Sequence, residues 1–153
     1  ATHALEMSDR QLPTGKLLEV AGTAMDFRTL RPLREGINDP FNHIADYGGY
    51  DHVWAVEGWK KHILQPVGLL RSPRSGRQME ILSSQPGVVI YTANGLSGGC
   101  PRSKSGGRYE DYGGVAIECQ NFPDAPNRPE FPSAELRPGE IYCEKIVFRF
   151  STF

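Results

Sequence analysis

The sequence predicts an all-β protein, an antiparallel β-sandwich. About eight short segments alternate apolar and polar residues, and residues that favour turns separate them. The 17 glycines and 12 prolines suit many short strands with tight connections better than a helical bundle. No stretch shows the periodicity of about 3.6 residues that marks a long amphipathic helix. Since neither a repeat nor a linker divides the chain, we expect residues 1–153 to form a single β-sandwich domain.

The predicted elements follow one another along the chain. Residues 1–11 carry no clear pattern, and one short helix is predicted over residues 29–37. A Ser/Gly-rich loop is predicted over residues 97–107, and a proline-rich connection over residues 125–139. The last strand changes phase near Lys145, as a β-bulge would cause. The predicted strands cover residues 16–20, 23–27, 50–56, 63–70, 77–83, 88–92, 113–120 and 140–150.

An unusual carboxylate stands in the middle of the strand at 113–120. Strand alternation places Glu118 with Ala116 and Gln120 on one face, opposite Val115, Ile117 and Cys119. Glutamate is depleted in strands and costly to bury without a partner. Glu118 therefore either faces solvent or serves a functional site. The segment 121–127 that follows is rich in Pro, Asn and Asp, which shape a rigid loop, and this favours the second interpretation.

Composition and charge exclude several classes of protein. The net charge of −1, with no basic stripe, argues against nucleic-acid binding. No apolar run approaches the roughly 20 residues of a membrane span. The three cysteines, Cys100, Cys119 and Cys143, form no metal-binding pattern with histidine, so we expect neither a metal nor a cofactor. Reduced thiols and the lack of a visible signal peptide favour a cytoplasmic protein, although the first residue, Ala1, indicates a processed start or part of a longer chain.

Carboxylate chemistry remains the best candidate for a catalytic function. No Gly-x-Ser-x-Gly motif occurs, and no cysteine has the context of a nucleophile. His52 follows Asp51 at the start of an aromatic strand, but neighbouring strand residues point to opposite faces, so these two should not share a pocket. The candidates are therefore Glu118, Asp51 and Asp124.

Eight short motifs in sequence order indicate a family. From Leu12 to the end of the chain, they resemble the C-terminal half of the aldose 1-epimerase (galactose mutarotase) family. One such motif would be weak, whereas eight in the right order are highly specific. The motifs are Leu12-Pro13-Thr14-Gly15, residues 22–28 (GTAMDFR), Gly49-Tyr50-Asp51-His52, Ser75-Gly76-Arg77, residues 84–88 (SQPGV), residues 91–94 (YTAN), residues 118–127 (ECQNFPDAPN) and residues 136–140 (LRPGE).

The resemblance implies a fold, a reaction and a set of site residues. The fold is a large antiparallel sandwich, called a supersandwich. The reaction interconverts the α and β anomers of free hexoses by general acid–base ring opening. Glu118 matches the catalytic base, Asp51 the aspartate that binds sugar hydroxyls, and Gln85 a glutamine near the sugar. The family's two catalytic histidines and its sugar-binding arginine belong to an N-terminal half without a counterpart here, so we expect a complementary half or partner chain.

Three functions stay open at this point. The chain could be the C-terminal part of an active aldose 1-epimerase, or a catalytically inactive carbohydrate-binding or structural module of the same fold. A relative that acts on sugar phosphates would need basic residues near the site, which only Arg71, Arg74 and Arg77 could supply.

Two structural expectations follow from this assignment. Glu118, Asp51 and Gln85 should open on a common concave surface, with Asp124 turned into its own loop. Because half of the family's sandwich has no counterpart in this chain, some sheet edge or apolar sheet face should remain uncovered.

Overall fold

In the computed structural model, the chain folds into two antiparallel sheets. The structure describes residues 1–99 and 103–153, so Cys100 lies outside the described residues. The prediction of an all-β antiparallel fold is confirmed. None of the helices in the described residues has the length and hydrophobicity to cross a membrane. The larger sheet has the order β2 (Pro13–Glu19), β1 (His3–Met7), β3 (Asp51–Ala55), β6 (Gly87–Tyr91), β7 (Ala116–Gln120). The smaller sheet has the order β4 (Gln65–Ser72), β5 (Arg77–Ser83), β8 (Ile146–Thr152). The helical elements are α1 (Leu96–Gly99) and 3-10 turns at Leu33–Glu35, Phe41–His43 and Ala125–Asn127.

Apolar packing on both faces of the larger sheet holds the fold together. Trp54 and Tyr50 lie in a buried cluster on one face. On the other face, Val53 and Val89 pack beneath Phe122 of the loop that follows β7. Burial of such side chains contributes about 1.5–3 kcal/mol each. A third cluster, formed by Ile81, Val88 and Cys119, joins the smaller sheet to the larger one.

One apolar face of the smaller sheet is only partly covered. In β8, Phe148 pairs with the buried Ile81, and Phe150 pairs with Met79. These residues share a face, yet Phe148 is 44% exposed and Phe150 is 74% exposed. The expected uncovered apolar face is therefore confirmed, and it lies on β8.

Two of the predicted elements are wrong. Residues 23–27 form a compact turn instead of a strand. The Thr23 hydroxyl donates a hydrogen bond to the Val20 carbonyl, and the Asp26 carboxylate accepts one from Gly22 N–H. These local bonds replace those of a strand ladder. The helix predicted over residues 29–37 is limited to the 3-10 turn at Leu33–Glu35, since the chain is extended at Pro32.

The two ends of the chain also differ from expectation. Strand β1 forms in the segment that showed no pattern, where β2 and β3 flank it. The last strand begins at Ile146, six residues later than predicted, and pairs with β5 without a bulge. The change of phase at Lys145 marks the residue just before β8, whose backbone N–H donates to the Ser84 hydroxyl.

Candidate active site

Asp51 and Glu118 lie on the same face of the larger sheet. Glu118 pairs with Val89 between β7 and β6, and Val89 pairs with Val53 between β6 and β3. Asp51 precedes Val53 by two residues and so shares its face. With about 4.8 Å between strands and about 3.3 Å per residue, the Cα atoms of the two acids are roughly 12 Å apart.

The two carboxylates differ in their surroundings. Glu118 is exposed, as strand alternation allowed. Asp51 is half-buried, and burial raises the pKa of its carboxyl group, with a further contribution from the negative charge of Glu118. The electrostatic effect of Glu118 on Asp51 is consistent with their position on one sheet face, two strands apart. A carboxylate that has lost water on burial is a good acceptor for hydroxyl donors.

Val53 and Val89 lie on the same sheet face as the two acids, in one row with Glu118. Both side chains are buried under the loop that follows β7. Sequence reasoning did not single out Val89, although it lies next to Glu118 on the site face. The alternation of β6 gives its phase, but only the pairing with β7 and β3 places it between the two carboxylates.

His52 lies behind Asp51, on the opposite face of β3. Its ring is fully buried and stacks on Tyr47 with 5.3 Å between ring centroids. Nδ1 accepts a hydrogen bond from the Asp51 backbone N–H at 2.9 Å, and Nε2–H donates to the Asn42 carbonyl at 2.7 Å. Burial lowers the pKa of His52 to about 4, so the ring is neutral at neutral pH. Asp51 and His52 point to opposite faces, as predicted.

Gln85 and Asp51 lie towards opposite ends of β6. Gln85 precedes β6 and lies beyond Gly87, whereas Asp51 pairs with Tyr91 at the other end of the strand. These strand ends are about 13 Å apart. The Gln85 side chain is buried, and its Nε2 donates to the Tyr142 hydroxyl at 2.8 Å. This contact ties the segment before β8 to the turn between β5 and β6.

Asp124 is turned into its own loop, as predicted. It adopts a left-handed backbone conformation with φ of 60°. Its Oδ1 accepts a hydrogen bond from Asn127 Nδ2 at 2.6 Å, and its Oδ2 accepts one from Arg128 Nε at 3.2 Å. The hydrogen bond from Asn127 and then that from Arg128 lower the pKa of the Asp124 carboxyl group. Asp124 therefore braces its own loop.

The remaining histidines contact groups other than the two carboxylates or pair at the far end of β3. His3 shares the site face but pairs with Ala55, at the far end of β3 from Asp51. His43 contacts Asp46, and His62 lies beside Glu144. Among the described residues, no histidine forms a hydrogen bond or ion pair with Glu118, and no group of three or more metal-ligating side chains occurs.

Comparison with known proteins places the chain in a family. The sequence profile described as aldose 1-epimerase matches residues 1–149. The chain belongs to the aldose 1-epimerase family. It is 39% identical to a human galactose mutarotase over 150 residues, and 33% identical to an aldose 1-epimerase of Haemophilus influenzae over 149 residues. The first alignment covers 96% of this chain and 41% of the relative, and the second covers 95% and 42%.

Solved structures of the aldose 1-epimerase family share this fold. An aldose epimerase homologue from Caenorhabditis elegans superposes with a TM-score of 0.80 at 29% identity, covering 99% of this chain and 44% of that one. A galactose 1-epimerase from Lactobacillus acidophilus superposes with a TM-score of 0.74 at 24% identity, which supports the fold alone. The chain thus spans less than half the length of the family members it matches.

Proposed function

We propose that this chain supplies the catalytic base and part of the sugar site of an aldose 1-epimerase, which interconverts the α and β anomers of free hexoses such as galactose and glucose. The observation that carries the proposal is the exposed Glu118 on the same sheet face as the half-buried Asp51. The names of the relatives support the reaction class. In this proposal, Glu118 is the base and Asp51 accepts hydrogen bonds from sugar hydroxyls.

The proposed reaction needs one base and one acid. Glu118 takes the proton of the anomeric hydroxyl while an acid protonates the ring oxygen. The bond between C1 and the ring oxygen breaks as the C1 aldehyde forms. Rotation about the bond between C1 and C2 presents the other face of the aldehyde. The ring hydroxyl then adds back, Glu118 returns its proton to the new anomeric hydroxyl, and the acid recovers its own.

The acid in this proposal comes from outside the chain. The histidines of the described residues are engaged elsewhere or lie far from Glu118. The chain aligns with 41–44% of the length of its relatives, so most of each relative has no counterpart here. We propose that the chain corresponds to the C-terminal half of the family fold and that the complementary half supplies the acid.

A large apolar cleft supports the proposal of a complementary half. The cleft lies between the two sheets and has a volume of about 1110 Å³. Trp54, Ile90 and Ile117 line it from the larger sheet, and Val67 and Leu70 from the smaller one. The exposed phenylalanines of β8 lie on the adjoining apolar face. Large exposed apolar surfaces commonly mark interaction sites, and a complementary half would cover this one.

The test is complementation. The 153-residue chain is mixed or co-expressed with the complementary portion of human galactose mutarotase, and the optical rotation of freshly dissolved α-D-galactose is followed. We expect the mixture to accelerate mutarotation and each part alone to leave the spontaneous rate unchanged. Acceleration by the verified chain alone would overturn the assignment of the acid to the other half. A mixture that forms a complex but remains inactive would overturn the catalytic proposal.

The inactive sugar-binding module is the second candidate. The placement of the described histidines favours it for the chain alone, since sugar contact needs only Asp51 and Glu118. The third hypothesis, a relative that acts on sugar phosphates, has less support. Arg71 and Arg74 line the cleft on the opposite face of the larger sheet, away from the two carboxylates. Sugar binding without acceleration in the complementation assay would favour the module.

A further inference from the structure

The backbone N–H of Asp51 has an unusual hydrogen-bond partner. Thr92 N–H donates to the Tyr50 carbonyl, so the backbone groups of Tyr50 point to β6 and those of Asp51 point away from it, towards β1. Strand β1 pairs with β3 only at Trp54 and Ala55. The start of β3 therefore extends beyond its pairing with β1, and the Asp51 N–H donates to the Nδ1 atom of His52 instead.

The imidazole of His52 is itself held on its other side. Nε2–H donates to the carbonyl of Asn42, and this arrangement requires the neutral tautomer with its proton on Nε2. Asn42 has a left-handed backbone, with φ of 52° and ψ of 34°, which asparagine tolerates better than most residues. Its side chain accepts from Met7 N–H at 2.8 Å and donates to the Leu5 carbonyl at 2.9 Å.

These bonds form a continuous chain from the irregular part of β1 to the site. The pairing of β1 with β2 shifts register between Leu5 and Met7, where Asn42 binds. Asn42 then fixes His52, and His52 fixes the backbone of Asp51. Every link is a hydrogen bond between buried or half-buried groups, where leaving a group without its partner is costly.

We propose that His52 is a positioning residue, which fixes the backbone at Asp51 and thereby the direction of the Asp51 carboxylate on the sugar face. This inference rests on the proposed contact between Asp51 and the sugar. His52 does not reach the sugar face itself, because its side chain lies on the other side of the sheet. Its role requires a neutral ring with a free lone pair on Nδ1, which a buried uncharged environment maintains.

The hydrogen bond can be tested without sugar. In the unmodified 153-residue chain, NMR should detect a scalar coupling between the Asp51 amide nitrogen and His52 Nδ1, and slow exchange of the Asp51 amide hydrogen. His52→Phe keeps a ring but removes both nitrogens, and should accelerate that exchange at least about tenfold. If the His52→Phe variant fails to fold, the coupling measured in the unmodified chain still shows whether the hydrogen bond between Asp51 and His52 exists. An Asp51 amide without coupling and without protection would overturn the inference.

The consequence for sugar is tested in the assembled enzyme. His52→Phe should raise KM for galactose by up to about 100-fold with a smaller change in kcat, because a misdirected contact weakens binding. His52→Gln, which offers both an acceptor and a donor, should recover part of the loss. His43→Phe is the matched control, since His43 stacks on the other side of Tyr47 at 5.9 Å and makes no contact with Asp51.

The Asp51→Asn variant distinguishes a failure of the positioning role of His52 from a failure of the proposed sugar contact. If Asp51→Asn raises KM and His52→Phe does not, the positioning role is wrong while the proposed sugar site stands. If Asp51→Asn leaves KM unchanged, the proposed sugar contact is wrong, and the functional role of His52 is overturned with it.

Discussion

Glu118 and Asp51 face the same side of the larger sheet with only β6 between their strands, and burial, followed by the charge of Glu118, raises the pKa of Asp51. In the proposed function, this relationship gives the two acids different roles. Glu118 is exposed and available to exchange protons, whereas Asp51 is partly withdrawn from water and suited to accept hydroxyl hydrogens. Variants of each acid can test these two roles separately.

Replacing Glu118 by glutamine should nearly abolish mutarotation while sugar binding survives. The amide keeps the size and hydrogen-bonding capacity of the side chain but cannot accept the anomeric proton, and loss of a general base costs about 10²–10⁴-fold in rate. Polarimetry of the assembled enzyme measures the rate, and a galactose titration measures binding. Glu110→Gln is the control, since Glu110 is exposed in the turn before β7. Retained activity in Glu118→Gln would exclude Glu118 as the base.

Replacing Asp51 by asparagine should mainly weaken sugar binding. A hydrogen bond to a charged group contributes about 1.5–3 kcal/mol, so affinity should fall by roughly 10- to 100-fold with a smaller effect on kcat. The same change should raise thermal stability at pH 7, because burial raises the pKa of Asp51 and ionising it therefore opposes folding. The gain should shrink at acidic pH, where Asp51 is protonated in both states. An unchanged KM together with an unchanged melting temperature would contradict both parts.

How far the sequence predicts this site depends on which residue is considered. Alternation alone gives the faces of Glu118 and of Asp51 within their own strands. Their shared face follows from the pairing of both strands with β6, which alternation does not specify. Gln85 shows the limit of a motif: its family resemblance predicts a place near the sugar, but only the pairing of β6 with β3 shows that it lies about one strand length from Asp51.

The elements that were missed share a cause. Strand β1 has a weak pattern because Ala4 and Leu5 are both buried, one on each face, between β2 and β3. In residues 23–27 the apolar and β-branched residues suggested a strand, but the side chains of Thr23 and Asp26 bond to the local backbone. In both places contacts outside the local pattern decide the structure.

The stability of the chain should fall as the pH decreases from about 6.5 to about 4. His52 binds a proton near pH 6.5 when unfolded but only near pH 4 when folded, so the unfolded chain binds more protons between these values. Lowering the pKa from 6.5 to about 4 corresponds to about 3 kcal/mol of unfolding free energy. Urea unfolding at several pH values measures this slope, which His52→Gln should reduce.

Other groups near His52 also influence how stability depends on pH, so that experiment needs a control variant. Burial lowers its pKa most, and a protonated His43 adds repulsion, while Tyr47 and Tyr50 contribute uncharged rings. Asp51 has the opposite effect, because its raised pKa lowers stability as the pH rises. The difference between the unmodified chain and His52→Gln isolates the histidine. Equal slopes in the two proteins would show that His52 does not titrate as described.

Gln85 and Tyr142 should act as a structural pair. Gln85→Leu and Tyr142→Phe each remove their mutual hydrogen bond and should lower stability by about 1 kcal/mol. Neither change should alter the affinity for galactose if the pair only holds the segment before β8. Loss of sugar binding in Gln85→Leu but not in Tyr142→Phe would instead support the sugar contact that the family motif predicts. Chemical denaturation and galactose titration of the same samples separate the two outcomes.

The apolar face of β8 should govern association of the chain. Phe150 is 74% exposed beside Phe148, and exposed aromatic residues on an edge strand promote pairing with other chains. Phe150→Lys should therefore reduce self-association of the isolated chain and weaken its assembly with the complementary half. Ser151→Lys is the matched control, because the next residue along the strand carries the same charge onto the opposite face. Analytical ultracentrifugation measures both forms of association, and equal effects of the two variants would show that charge on the edge, not the apolar face, controls assembly.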